Sequence, residues 1–183
     1  MILSDDKFIV LPINKFKDSI NLKKVLIGFR HDVDCHPFKA LEMAKMEQEY
    51  NFKTTFYILA TAEYYGKISK RGVHRFLCLN ELYQKIVALN HEIGIHNDLL
   101  TIMIKYRMNP LSFNLAEIDY YQSLGIEING TSSHGSKIAS KTVPNYQIFS
   151  DFAIKEYTVY NGQRYALGEH SMCKYGFDYE AYH

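Results

Sequence analysis

The chain is predicted to be an α/β protein built on a mostly parallel sheet with right-handed crossovers, and three observations predict it. Strand-like and helix-like segments alternate along most of its 183 residues. The strand-like segments are short runs of apolar, β-branched and aromatic residues. Polar clusters sit at or just after the ends of these runs, which is where parallel sheets gather functional residues. An open sheet and a barrel satisfy this order equally.

Taken in order, the run Phe8-Ile9-Val10-Leu11-Pro12 suits an edge strand, because Pro12 cannot donate to a ladder. Residues 24–34 contain the strongest buried-strand signal, Lys24-Val25-Leu26-Ile27-Gly28-Phe29, and end in Arg30-His31-Asp32-Val33-Asp34. Pro37 is a good first helical residue. The following segment to residue 50 places Leu41, Met43, Ala44 and Met46 on an apolar face, with Asn51 as the stop. Residues 54–60 (TTFYILA) read as the next strand. Residues 61–77, with Gly66 and Gly72, read as a long loop over the same sheet end. Residues 80–90 form an amphipathic helix capped by Asn80, with Leu82, Ile86 and Leu89 on one side. His91 to His96 is a short strand, and 97–109 is irregular or weakly helical. Residues 110–124 form a helix stopped by Gly125. Residues 126–133 form a weaker strand ending in Ser133-His134-Gly135-Ser136. Beyond that, 148–154 and 156–160 read as strands or turns. No repeat or linker interrupts the chain, so residues 1–183 read as one domain.

Composition narrows the function classes. Hydrophobic residues make up 47% and charged ones 22%, as in ordinary globular proteins. Lys and Arg total 21 against 20 Asp and Glu, a net charge of +1 that argues against a duplex nucleic acid as partner. No segment approaches the roughly 20 apolar residues of a membrane span. The first residues lack the basic start and apolar run of a secretory signal. Cys35, Cys78 and Cys173 are far apart and read as reduced thiols of a cytoplasmic protein.

Chemistry concentrates in Asp32/Asp34, His96 and His134. Their spacing corresponds to about two βα units and then one, at ~30 residues or more per unit. Strands of a parallel sheet deliver their carboxyl ends to one side, so these residues are expected to converge. One carboxylate and two imidazoles make a first shell for Zn²⁺ or a similar divalent ion, with a position left for water. The second aspartate then suits a general base, and the set points to metal-assisted hydrolysis. Plainer readings stand beside this one: an aspartate capping the next helix, a hydrogen-bonded His96, a turn at His134. Arg30 shares a strand face with Asp32 and can pair with it, whereas His31 alternates into the packing layer. Cys35 reads as a small buried or incidental thiol, with a nucleophile as its alternative, and His36 as facing away, with a ligand role as its alternative. No Gly-x-Ser-x-Gly elbow, Gly-x-Gly-x-x-Gly or phosphate loop is present, which disfavours serine hydrolase, dinucleotide and nucleotide chemistry.

In these residues the chain resembles the polysaccharide deacetylases, the NodB-like carbohydrate esterases, and most closely their WbmS-like branch. The likeness runs through Phe29-Arg30-His31-Asp32-Val33-Asp34, Thr54-Thr55-Phe56-Tyr57-Ile58, His91-Glu92-Ile93-Gly94-Ile95-His96 and Ser133-His134-Gly135, and through the tail Tyr175 to Tyr182. It implies a distorted, incomplete (β/α) barrel, a divalent metal, usually zinc, held by Asp-His-His, and removal of an acetyl group from a saccharide. In that picture Asp32 matches the base, with Asp34, His96 and His134 as metal ligands. The spacing Asp-Val-Asp, where the family has adjacent aspartates, leaves the division between Asp32 and Asp34 open. Leu100 stands where the family commonly has a second histidine, so His134 is expected to supply the ligand, with Asp98 as the alternative. For the general acid only His170 and the terminal His183 come late enough in the chain, and His170 is the expectation. The chain stops soon after Ala181, earlier than such barrels usually do, which implies a fragment or a naturally short form. These departures also leave room for a catalytically degenerate saccharide-binding or assembly protein.

Overall fold

The apolar run 24–34 builds two strands rather than one. In the computed structural model, which describes residues 7–69 and 72–181, β1 (Phe8–Val10) pairs in parallel with β2 (Val25–Ile27) as a separate ribbon. The chain then changes partner, and β3 (Arg30–Val33) runs beside a different strand. Gly28 marks the break. A Cβ there would lie 2.9 Å from the Phe16 ring, so glycine lets the turns at Ile13–Lys15 and Lys17–Ser19 pack over the chain.

The remaining elements follow as α1 (Pro37–Glu49), β4 (Thr55–Ile58), β5 (Gly66–Ser69), β6 (Gly72–Arg75), α2 (Asn80–Ala88), β7 (Glu92–Asn97), α3 (Leu99–Ile104), α4 (Pro110–Ser123), β8 (Gly130–Ser133), β9 (Tyr157–Tyr160), β10 (Gln163–Ala166) and β11 (Tyr179–Glu180). The segment expected as a long loop holds the β5–β6 hairpin, and β9–β10 form a second hairpin. Asn80 does not cap α2. A 3₁₀ turn at Leu77–Leu79 leads straight into the helix, and the Asn80 side chain instead accepts a hydrogen bond from the Tyr120 hydroxyl. Strand β8 is shorter than the expected 126–133, and Tyr182 and His183 lie outside the described residues.

Five strands form one parallel sheet in the order β3-β4-β7-β8-β11. Spatial order equals chain order, with no reversal. Right-handed crossovers then put the intervening helices on one face. That face is apolar: Phe56, Ile58, Ile93 and Ile95 are buried against Ala40 and Ala44 of α1 and Leu82, Tyr83 and Ile86 of α2. The alternate residues Arg30, Asp32, Thr55, Tyr57, Glu92, Gly94, His96, Gly130 and Ser132 share the opposite face.

That second face is concave. The Arg30 guanidinium of β3 donates to the carbonyl of Ala181, just past β11, at 3.1 Å. On a flat sheet these edges would stand four strand spacings, ~19 Å, apart. The Tyr57 hydroxyl donates to the Tyr179 hydroxyl, which donates to Glu92. The curl leaves room for both rings only over glycine, since a Cβ on Gly94 would meet the Tyr57 ring and one on Gly130 the Tyr179 ring. At the amino ends of the strands, Ile13 N donates to Thr55 Oγ1 and Asn14 N to Glu92 Oε2, covering that end of the concavity. The carboxyl ends stay open.

Candidate metal centre

Three strands bring the candidate ligands to that open end: Asp34 follows β3, His96 lies in β7 and His134 follows β8. His96 Nε2 lies 3.4 Å from Asp34 Oδ1 and 3.2 Å from His134 Nδ1, and His134 Nδ1 lies 3.6 Å from Asp34 Oδ1. A tetrahedral zinc site with bonds of ~2.0–2.1 Å spaces its ligand atoms ~3.3 Å apart. The three residues therefore fit a divalent ion without rearrangement, and together they form the described group that could hold one.

Local interactions aim each group. His96 Nδ1 donates to the Ser132 carbonyl at 2.8 Å, which leaves Nε2 unprotonated and facing the cluster. Burial, 3% exposed in this side chain, lowers the His96 pKa and favours the neutral ring a metal needs, though the nearby Asp32 carboxylate pulls the other way. The His134 backbone is held twice: its N–H donates to the Asn97 carbonyl, and its carbonyl accepts from Asn145 Nδ2. Asn145 Oδ1 also accepts from Leu100 N, so one buried amide ties the His134 turn to the start of α3. Asp34 is the open side of the cluster, 49% exposed.

Asp32 stands beside the triad with Oδ2 3.8 Å from His96 Nε2. It accepts a charge-assisted hydrogen bond from Arg30 at 2.8 Å, and Ser132 Oγ lies 3.5 Å from its other oxygen. Neither aspartate caps α1, whose N-cap position is His36 with no side-chain cap. The His36 ring packs 5.7 Å from Tyr64, away from the cluster. His31 points into the helix layer, as its alternation predicts, and meets Glu47 of α1 at 2.7 Å.

Leu100 is fully buried in an apolar cluster with Ile104, Ile138 and Val143. Asp98 is engaged elsewhere, accepting from Thr61 Oγ1 and Asn145 Nδ2. Cys35 is exposed and free rather than buried. His170 lies against Tyr175, with its carbonyl accepting from Ser150 N; no hydrogen bond or ion pair among the described residues joins it to the cluster. His183 lies outside the described residues. Two parts of the site carry no motif in the sequence, the Asn145 tether and the Ser132 carbonyl that orients His96. No helix among the described residues is long and apolar enough to cross a membrane. No family model matches the chain, and no curated protein or solved structure matches it either.

Proposed function

We propose that the chain is a metal-dependent carbohydrate deacetylase of the NodB-like superfamily and its WbmS-like branch. Its curled sheet is then an incomplete (β/α) barrel, and its place is the cytoplasmic part of a surface polysaccharide pathway. One observation carries the reading: Asp34, His96 and His134 stand at zinc-ligand spacing at the carboxyl ends of parallel strands, with Asp32 held beside them. Consecutive strand order without reversal and the Arg30 link between sheet edges support the barrel reading. A divalent ion held by the triad, zinc being the best match to its donors and spacing, supplies Lewis-acid polarisation of an acyl carbonyl and a more acidic water. Asp32 is placed to take a proton on the side of His96, and Arg30 holds its carboxylate in one orientation. His170 remains the proposed acid for the leaving amine or hydroxyl on the resemblance alone.

The test combines zinc titration with acetate release from N- and O-acetylated saccharides. Wild type is expected to bind zinc and release acetate. Asp32→Asn is expected to keep zinc while losing turnover by ~10²–10⁴-fold, the usual worth of a general base. A wild-type chain that takes up no zinc would sink the reading. That no hydrogen bond or ion pair among the described residues joins His170 to the cluster favours a second reading, a degenerate saccharide-binding protein. Sugar binding without acetate release, unchanged by a chelator, would select it.

A further inference from the structure

A cleft of about 590 Å³ opens beside the triad, with His134 in its wall. That volume suits a small ligand of one or two sugar rings. Its walls come from the end of α3, the loop after β8 and the β9–β10 hairpin. The first contributes Lys105 and Arg107, the second Lys137, and the hairpin Tyr160 and Tyr165. All three cations are exposed, and none has a carboxylate within ion-pair distance among the described residues. Asp98 is the cleft's acidic residue, and both its oxygens already accept hydrogen bonds.

Arg107 adds an independent sign. It adopts φ 54°, a left-handed conformation uncommon for a residue other than glycine, asparagine or aspartate, two residues past the C-cap Lys105 of α3. An arginine at a backbone position that disfavours it points to use of its side chain. A guanidinium and an ammonium lining one cleft suit a phosphate or carboxylate bound there. Tyrosine rings nearby suit the apolar face of a sugar.

We infer that this cleft selects an acylated saccharide that also carries an anionic group, a phosphate or a carboxylate, with Arg107 and Lys137 as its chief contacts. The inference rests on the deacetylase reading for the acyl group, but the charge preference is measured without turnover. Zinc-loaded protein is titrated calorimetrically with N-acetylglucosamine, N-acetylglucosamine 1-phosphate and N-acetylglucosaminuronic acid. At least one anionic sugar is expected to bind 10-fold or more tighter than the neutral one, with the advantage shrinking as salt rises. Which of the two prevails identifies phosphate or carboxylate. Arg107→Gln with Lys137→Gln is expected to erase the advantage while leaving neutral-sugar affinity and the melting temperature unchanged. Equal affinity for all three sugars, binding of none, or a preference that survives the double substitution would overturn the inference. Anion preference without acetate release would overturn only the deacetylase reading, and acetate release without anion preference only the present one.

Discussion

A histidine at position 100 would restore the pattern of the proposed family, yet that side chain has nowhere to coordinate from. Leu100 faces Ile104, Ile138 and Val143, while His134, just past β8, completes the candidate ligand group. Leu100→His is therefore expected to destabilise the fold by ~1–3 kcal/mol for a buried polar group without a partner, plus the packing lost, seen as a lower melting temperature, and to leave zinc affinity no tighter. His134→Ala is expected to weaken zinc by more than the ~10–100-fold that loss of a mere orienting partner costs. Competitive zinc titration beside thermal melts reads both, and a tighter site in Leu100→His would contradict the assignment. The convergence of Asp34, His96 and His134 was legible in the sequence because each lies at or just past the carboxyl end of a strand, a place that period-2 alternation and βα spacing locate. His31 and Arg30 were legible by the same alternation. Asn145 was not: a lone amide between Pro144 and Tyr146 announces nothing, and its partners at His134 and Leu100 are set by tertiary packing. Asn145→Ala is expected to cost ~1–3 kcal/mol and to weaken zinc ~10-fold through the freed His134 turn, checked by the same two measurements.

At the scale of elements, α1, β4 and β7 meet through a polar knot with a pH consequence. His91 is fully buried; its Nδ1 accepts from Thr54 N, and its Nε2–H donates to the Ala44 carbonyl. Burial holds its pKa below the usual 6.5. The unfolded chain then binds a proton that the folded chain refuses, so this stabilisation is full above pH 6.5 and falls away as pH drops towards the lowered folded value. Glu47 adds a loss further down. Against burial, which raises it, hydrogen bonds with His31 and Thr54 hold its carboxyl below the usual 4.5, so its contribution fades only as pH falls below that. Glu92 and Glu117 act the other way, because burial pushes their carboxyls up. The share of His91 is therefore read as a difference: the melting temperature of His91→Gln is expected to fall less steeply from pH 7 to pH 5 than that of wild type. Equal slopes would remove His91 from the account. Element types were largely legible, but two joints were not. The apolar run 24–34 carries no sign that Gly28 hands the chain from one partner to another, because partner choice depends on where Phe16 lands. The β9–β10 hairpin turns on Asn161 and Gly162, both at positive φ, a strong local signal whose flanking strands show little apolar alternation.

The whole molecule depends on how the concave sheet is held curled with five strands. β11 is a two-residue edge strand, too short for its ladder alone to resist opening. Its anchor is the Tyr179 hydroxyl, which receives a hydrogen bond from Tyr57 of β4 and gives one to Glu92 of β7, beyond β8. Burial pushes the Tyr179 hydroxyl far up, with the neighbouring Tyr57 and Glu92 adding to it, so the group stays a donor at any working pH. Glu92 looks like a solvent-facing residue in the strand's alternation and becomes an interior one only because the sheet curls. Tyr179→Phe keeps the ring over Gly130 and removes only the hydroxyl, leaving Tyr57 and Glu92 each short of a partner. The expected cost is ~1–3 kcal/mol. If the hydroxyl is a local clasp, hydrogen exchange should rise first at the Asp178 and Ala181 amides, which donate to Asn129 and Thr131, while β4 and β7 stay protected. If curl and core form one cooperative unit, protection should fall together across β4, β7 and β11. The polar, tyrosine-lined inner face shares little with the apolar helix layer, and β11 packs chiefly on β8, so the first outcome is expected. Retained zinc affinity in Tyr179→Phe would then separate the clasp from the candidate metal centre, whose three residues lie at or just past the ends of β3, β7 and β8.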